Sequence, residues 1–419
     1  MERSRRETLC VMALGLLFAP AVARAQGAYE AQPVLKASDL AAARLLKGPT
    51  FSVDPKVPTA HYLGEFTLRS EHGRFAVHGR DLLPIRVSEL GALDQLASMS
   101  KSEEFLKAAG NAAARPVKAV VDIASSPVET AKAMPAAMGR FFERMELGAK
   151  SVASAATDSG KSSEEKAAET TKRVGSISVD VLGFEQERRA LAKRLSVDPY
   201  TTNAVLSEKL TDIAWVAFSG RFGVGAVTAV VVPFSSVLTL TSATRDIVWD
   251  TPPGDLIVQN QKRFAATGAT EEQVRALMAN TWYSLTTLTH LAIGLESLGP
   301  VRGREQIVAF ASRAPSEDVA RIVGGAVAML LEHHKKAPFA QVSAPGPIVG
   351  RGRDGALLVP APVDYVAWTE RAARFARRPE LAAKSRTVWI TGTFSPRAKK
   401  ELAAAGWTAR EGAGAASPR

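Results

Sequence analysis

Cysteine is all but missing from this chain, whose one thiol is Cys10. A single thiol forms no internal disulfide, and zinc sites built from several cysteines are excluded. Cys10 also falls inside an N-terminal stretch with the marks of a secretory leader. Arg3, Arg5 and Arg6 precede an uncharged run from Thr8 to Ala23, and the small-residue site Ala23-Arg24-Ala25 precedes Gln26. A basic start, an apolar centre and an A-x-A end predict cleavage near Ala25 and a periplasmic or secreted chain. The processed protein would then have no thiol for catalysis, and its stability must come from packed cores. The leader's apolar run is too short for a stable membrane anchor, which needs roughly 20 residues. Arg5 and Arg6 are adjacent, but Thr8 stands where a twin-arginine signal prefers Phe, so ordinary export is expected.

Acidic charge is also in deficit, with 42 Asp and Glu against 53 Lys and Arg and a formal net charge of +11. Motif chemistry is sparse. No P-loop, no dinucleotide fingerprint, no HExxH and no GxSxG elbow is expected. The six histidines form no ligand pattern. His72 and His78 flank an expected hairpin turn and share a face only if that turn keeps the register. His290 lies on a mostly apolar helix and reads as a core residue. His333-His334 fall at a helix C-terminus, where the dipole favours a cation. No metal and no cofactor is expected.

Local patterning divides the chain into seven parts. After the leader at 1–25, residues 26–57 are polar and broken by proline, and predict an extended arm. Residues 58–150 predict a hairpin plus helices. Phe66 and Leu68 alternate with polar neighbours, as do Phe75 and Val77 around Glu71-His72-Gly73-Arg74. Ser88 is placed to cap a helix bearing Leu90, Leu93 and Leu96, and Pro116, Pro127 and Pro135 cut the Ala-rich stretch 116–142 into short pieces. Residues 151–179 read as a linker or exposed helix, since Ser151 to Lys172 offers few apolar anchors. Residues 180–340 predict a helical bundle. Leu206, Leu210 and Ile213 form one stripe after Asn203, while the capping box Thr270-Glu271-Glu272-Gln273 opens a long helix running through Leu285 to Leu295. Residues 341–410 predict a small α/β unit with strands at Ala356–Val359 and Thr387–Thr391, and helices over 363–378 and 396–405. Residues 411–419 read as a disordered tail. The fold class expected from this pattern is mainly α: a central helical bundle with an N-terminal β-hairpin region and a small C-terminal α/β unit.

Two features carry the functional expectation. Residues 371–400 hold nine Lys and Arg against one acid, Glu380. Arg371, Arg374 and Arg378 fall on one helix face, opposite Trp368, Ala372 and Phe375, and Arg377 adjoins them. Beyond this helix, the turn from Gly392 through Ser395 into a helix bearing Arg397 and Lys400 offers free N–H groups and a helix dipole to an anion. The expected role is a non-catalytic binding or scaffolding protein of the cell envelope, with this basic face against an anionic lipid, glycan or acidic protein. Nucleic acid is not expected as a partner of an exported protein. Gly223 to Thr244 carries no charge over 22 residues. Its Ser, Thr, Gly and Pro233 favour buried core over membrane insertion, which is the rival reading alongside an envelope-polymer hydrolase without a recognisable motif. The polar loop Asp198-Pro199-Tyr200-Thr201-Thr202-Asn203 reads as turn and cap chemistry.

Overall fold

The structure is a computed structural model and describes residues 28–111, 183–220 and 242–413. The leader, the 116–142 stretch, the 151–179 segment and most of 223–244 lie outside them.

Three sheets of five, five and two strands overturn the mainly-α expectation. The first is N-terminal. Strand β1 (Val34–Lys36), β2 (Phe51–Val53) and β3 (Lys56–Ala60) join the hairpin β4 (Leu63–Ser70) and β5 (Gly73–His78), all antiparallel. The hairpin forms with Glu71-His72 at its turn, but it belongs to a larger sheet in which β1 and β2 come from the stretch expected as an arm and β3 straddles the end of that stretch. Those strands are three to five residues long, too short to display alternation. One face of this sheet buries Val57, Phe66, Leu68 and Val77 against the helices Leu82–Ser100, Glu103–Asn111, 183–194 and Ala204–Gly220. The Leu82–Ser100 helix starts six residues before Ser88, because Pro84 falls in its first turn, where the missing N–H costs nothing.

The central helices Pro253–Ala265, Glu271–Met278, Leu285–Ser297, Arg304–Ala311 and Glu317–Lys336 pack around Phe264, Leu288, Leu291, Ile307 and Leu330. The capping box forms at Thr270. The long helix expected from it is instead two, broken after Met278. Asn280 Nδ2 donates to the carbonyls of Ser312 and Ala314, both at 3.1 Å, and Ser284 Oγ caps the second helix by accepting from Thr287 N. Local polar bonds therefore win over the continuous apolar stripe.

Two further strands, missed in the sequence, begin the C-terminal sheet: β6 (Phe339–Ser343) and β7 (Val349–Gly352). They run antiparallel into β8 (Ala356–Ala361), and β10 (Ser385–Ile390) and β12 (Trp407–Arg410) follow parallel to β8. The helices Glu370–Ala376 and Pro396–Ala404 make the two crossovers. They cover one face of the sheet through Ala372, Ala373, Ala376, Ala398 and Leu402, while Leu358 on the other face joins the central helical core. The helix expected over 363–378 begins only at Glu370, capped by Thr369. Before it, β9 (Tyr365–Val366) pairs with β11 (Thr393–Phe394).

A buried polar group joins the N-terminal helices to the central ones. Arg86 Nη1 donates to both carboxylate oxygens of Glu89, at 3.1 and 2.9 Å, and Nη2 donates to Thr202 Oγ1 at 2.6 Å. Thr201 Oγ1 and Asn203 Nδ2 also donate to Glu89, and Thr202 Oγ1 donates to Glu317 at 2.7 Å. The loop expected as cap chemistry is thus the seam between three segments. Glu89→Ala would strand the Arg86 charge in the interior and is expected to destabilise by about 3–5 kcal/mol, read as a lowered urea midpoint; an unchanged midpoint would refute this account of the seam.

Candidate functional site

In open α/β sheets the carboxyl ends of parallel strands form the natural binding crevice. Here that crest is built where β8 and β10 end, and it brings together residues from both termini. Val363, Asp364 and Tyr365 leave β8, while Thr391-Gly392-Thr393 leaves β10. Gly392 N donates to Val363 O at 2.9 Å, and Thr393 N to Asp364 O at 3.0 Å. A Cβ at Gly392 would fall 1.8 Å from Asp364 O, so only glycine permits this approach.

The N-terminal sheet docks on the same crest. Its β3–β4 turn places His61 and Tyr62 at φ 51° and 72°, a left-handed pair that side chains of this size seldom adopt. The turn is held because Asp364 N and Tyr365 N both donate to Tyr62 O, at 2.9 and 3.1 Å. The Asp364 carboxylate is buried and accepts from Gly64 N at 2.8 Å and Arg80 N at 3.0 Å. Burial pushes its pKa up to about 6 despite these bonds.

The turn into the Pro396–Ala404 helix is also occupied from within. Ser395 Oγ caps the helix by accepting from Ala398 N and donates to Glu30 Oε2 at 2.5 Å. Glu30 Oε2 also accepts from Trp368 N at 2.5 Å, and Arg397 Nη2 donates to Ala28 O at 2.8 Å. One of the chain's own carboxylates therefore sits at the Ser395 hydroxyl beside this helix N-terminus. Sequence reading missed Glu30 and Asp364 because nothing local marks a carboxylate whose partners lie some 300 residues away.

The expected site residues thus separate into two groups. Gly392, Ser395 and Arg397 belong to this internal junction. Arg378 Nη1 donates to Pro345 O at 3.4 Å and lies against Gly346. Arg371, Arg374, Arg377 and Lys400 are exposed on the two crossover helices, which pack together on one side of the sheet. Arg374 has only a loose ion pair with Glu370, at 3.9 Å in solvent. Arg377 borders a hollow of about 490 Å³ with Trp368, Arg386 and Glu401. Arg386 stacks over Trp407 at 4.9 Å and donates to Ala405 O.

The histidines have separate partners. His72 Nε2 lies 2.6 Å from Asp94, and His78 Nδ1 lies 2.8 Å from Asp318. His290 is half-buried in the helical core, and its desolvation pulls the pKa down to about 4 and keeps the ring neutral. Among the described residues no group of three or more His, Cys, Asp or Glu is placed to hold a metal ion, and no helix is long and apolar enough to cross a membrane. Contrary to the expectation of no dinucleotide fingerprint, Gly350, Gly352 and Gly355 have its spacing, but they join antiparallel β7 to β8 and open no helix. No protein family, curated protein or solved structure matches the chain.

The Asp364 junction predicts a pH effect. The folded carboxyl keeps its proton to about pH 6, whereas an unperturbed one releases it near 3.8, so its contribution is fully present below pH 3.8 and is lost as pH rises to 6. Both backbone donors meet Oδ2, and the amide oxygen of Asp364→Asn can accept from them. Relative to the parent, D364N is expected to gain about 2–3 kcal/mol in unfolding free energy between pH 4 and pH 7. Parallel stability–pH curves in urea titrations would contradict it.

Proposed function

We propose that this chain is an exported, non-catalytic binding protein of the cell envelope, whose basic C-terminal layer engages an anionic surface. The observation that carries this reading is the solvent-facing display of Arg371, Arg374, Arg377 and Lys400 on two adjacent crossover helices whose opposite faces are buried. A sheet backs both helices, so the charges sit on a rigid platform rather than on a loop, and little ordering is needed on binding. The leader-like residues 1–25 support delivery outside the cytoplasm, and the 49 Lys and Arg against 40 Asp and Glu of residues 26–419, a formal charge of +9, support attraction to an anionic partner over a Debye length.

Flotation of Gln26–Arg419 with vesicles tests the reading. Binding is expected to vesicles containing phosphatidylglycerol, and not to phosphatidylcholine alone, and to fall as salt rises. Each cation near such a surface contributes about 1 kcal/mol, so R371Q/R377Q/K400Q is expected to weaken binding by about 100-fold. Salt-resistant binding to both vesicle types, or a triple variant that binds like the parent, would overturn it.

A further inference from the structure

A second cleft lies on the opposite face of the C-terminal sheet, away from the crossover helices. The Glu317–Lys336 helix packs on β8 and ends beside it, and the cleft opens between its last turn, the β7–β8 turn and the outer strands. Its volume is about 440 Å³, within the roughly 300–1,000 Å³ range of small-molecule sites. His333, Phe339, Arg353, Leu358, Thr387 and Arg410 line it.

Strand register explains how distant residues converge. Thr387 of β10 is level with Leu358 of β8, and Arg410 of β12 with Trp389 of β10, so all four share the face that meets the central helices. The walls are flat and apolar. His333 stacks on Phe339 with ring centroids 5.0 Å apart, and the Arg410 guanidinium lies 5.5 Å from the centre of the Trp389 ring.

Apart from these ring contacts, the polar groups at this cleft keep their hydrogen-bonding capacity. Among the described residues, the side chains of Arg353 and Arg410 have no ion pair, and neither the Thr387 hydroxyl nor the His333 ring has a hydrogen-bond partner. Asp354 also lines the cleft, but its Oδ1 accepts from Ala356 N at 3.0 Å within the turn. Two guanidinium groups, a hydroxyl and an imidazole therefore stand over an apolar floor. Guanidinium suits a carboxylate through two parallel N–H donors, and the flat walls suit a ring. Burial lowers the His333 pKa first, and Arg410, Lys336 and His334 lower it further, against Glu332, which raises it.

We propose that this cleft binds a small aromatic carboxylate, its acid group between Arg353 and Arg410 and its ring against Leu358 and Phe339. This site is separate from the basic layer and stands or falls without it.

Calorimetric titration of Gln26–Arg419 with 2-naphthoate tests the assignment, with 2-naphthamide and inorganic phosphate as the comparison ligands. The expected dissociation constant for 2-naphthoate is about 0.1–1 mM, with at least tenfold weaker binding of the amide and of phosphate. R353Q and R410Q, both at exposed positions, are expected to weaken 2-naphthoate binding at least tenfold, with the unfolding midpoint unchanged in R353Q and lowered in R410Q by no more than the loss of its contact with Trp389. As a separate readout, the bound carboxylate is expected to raise the His333 pKa, followed by NMR of its ring protons. Equal binding of the amide or of phosphate, parent-like binding by both variants, or no heat at millimolar 2-naphthoate would each overturn the proposal.

Discussion

Burying the Arg86 guanidinium is tolerable only because three segments of the chain meet around it. In a low-dielectric interior an unpaired charge costs several kcal/mol, and the cost is offset when a carboxylate and further hydrogen bonds surround it. Glu89 supplies the carboxylate one helical turn away, while Thr202 and Glu317 come from other segments. The pair is thus a condition on assembly: the N-terminal helix, the 198–203 loop and the Glu317–Lys336 helix must all be in place before the charge is satisfied. Asp198 in the same loop, its pKa pushed up to about 6 by burial, accepts from Thr286 Oγ1 at 2.6 Å and extends the seam to a fourth segment.

Once this seam is set, the other junctions follow from it. The Glu317–Lys336 helix brings Asp318 to His78 and Arg321 to Asp81, which fixes the end of the N-terminal sheet. That in turn delivers the His61-Tyr62 turn to the crest of the C-terminal strands. Two left-handed residues without glycine are strained by roughly 1–3 kcal/mol each, and such geometry persists only when the surroundings determine it. Here the surroundings are two backbone donors from Asp364 and Tyr365. The binding crevice that an open α/β sheet would ordinarily present is therefore filled by this chain's own N-terminal part.

Some helix starts were legible in the sequence, although Ser88 caps nothing and the helix expected from 363 begins at Glu370. Ser395 and Thr270 cap helices where the sequence places them, because a cap is a bond within four residues and needs no tertiary information. Gly406, at φ 78°, stops its helix for the same local reason. The hairpin at Glu71-His72 was legible through its alternation. Short strands were not: Val34–Lys36, Phe51–Val53 and Val349–Gly352 are defined by what they pair with, and three or four residues show no period. Missing them turned a chain with two five-stranded sheets into an expected bundle. The basic layer was visible as composition, since charge density survives without a fold. The division of its residues between solvent and internal bonds was not, because Glu30 lies more than 360 positions from Ser395.

Glu30 and Glu411 reach the same short helix. Arg397 holds the backbone at Ala28, while Lys399 lies 2.9 Å from Glu411, whose Oε1 accepts from Phe394 N at 2.7 Å. Residues 28–30 and 411–413 are therefore neighbours in space, and the path between them closes into a ring. Such a chain lends itself to circular permutation: a short linker across this point could replace the junction, and new ends could open at a surface loop elsewhere without disturbing either sheet.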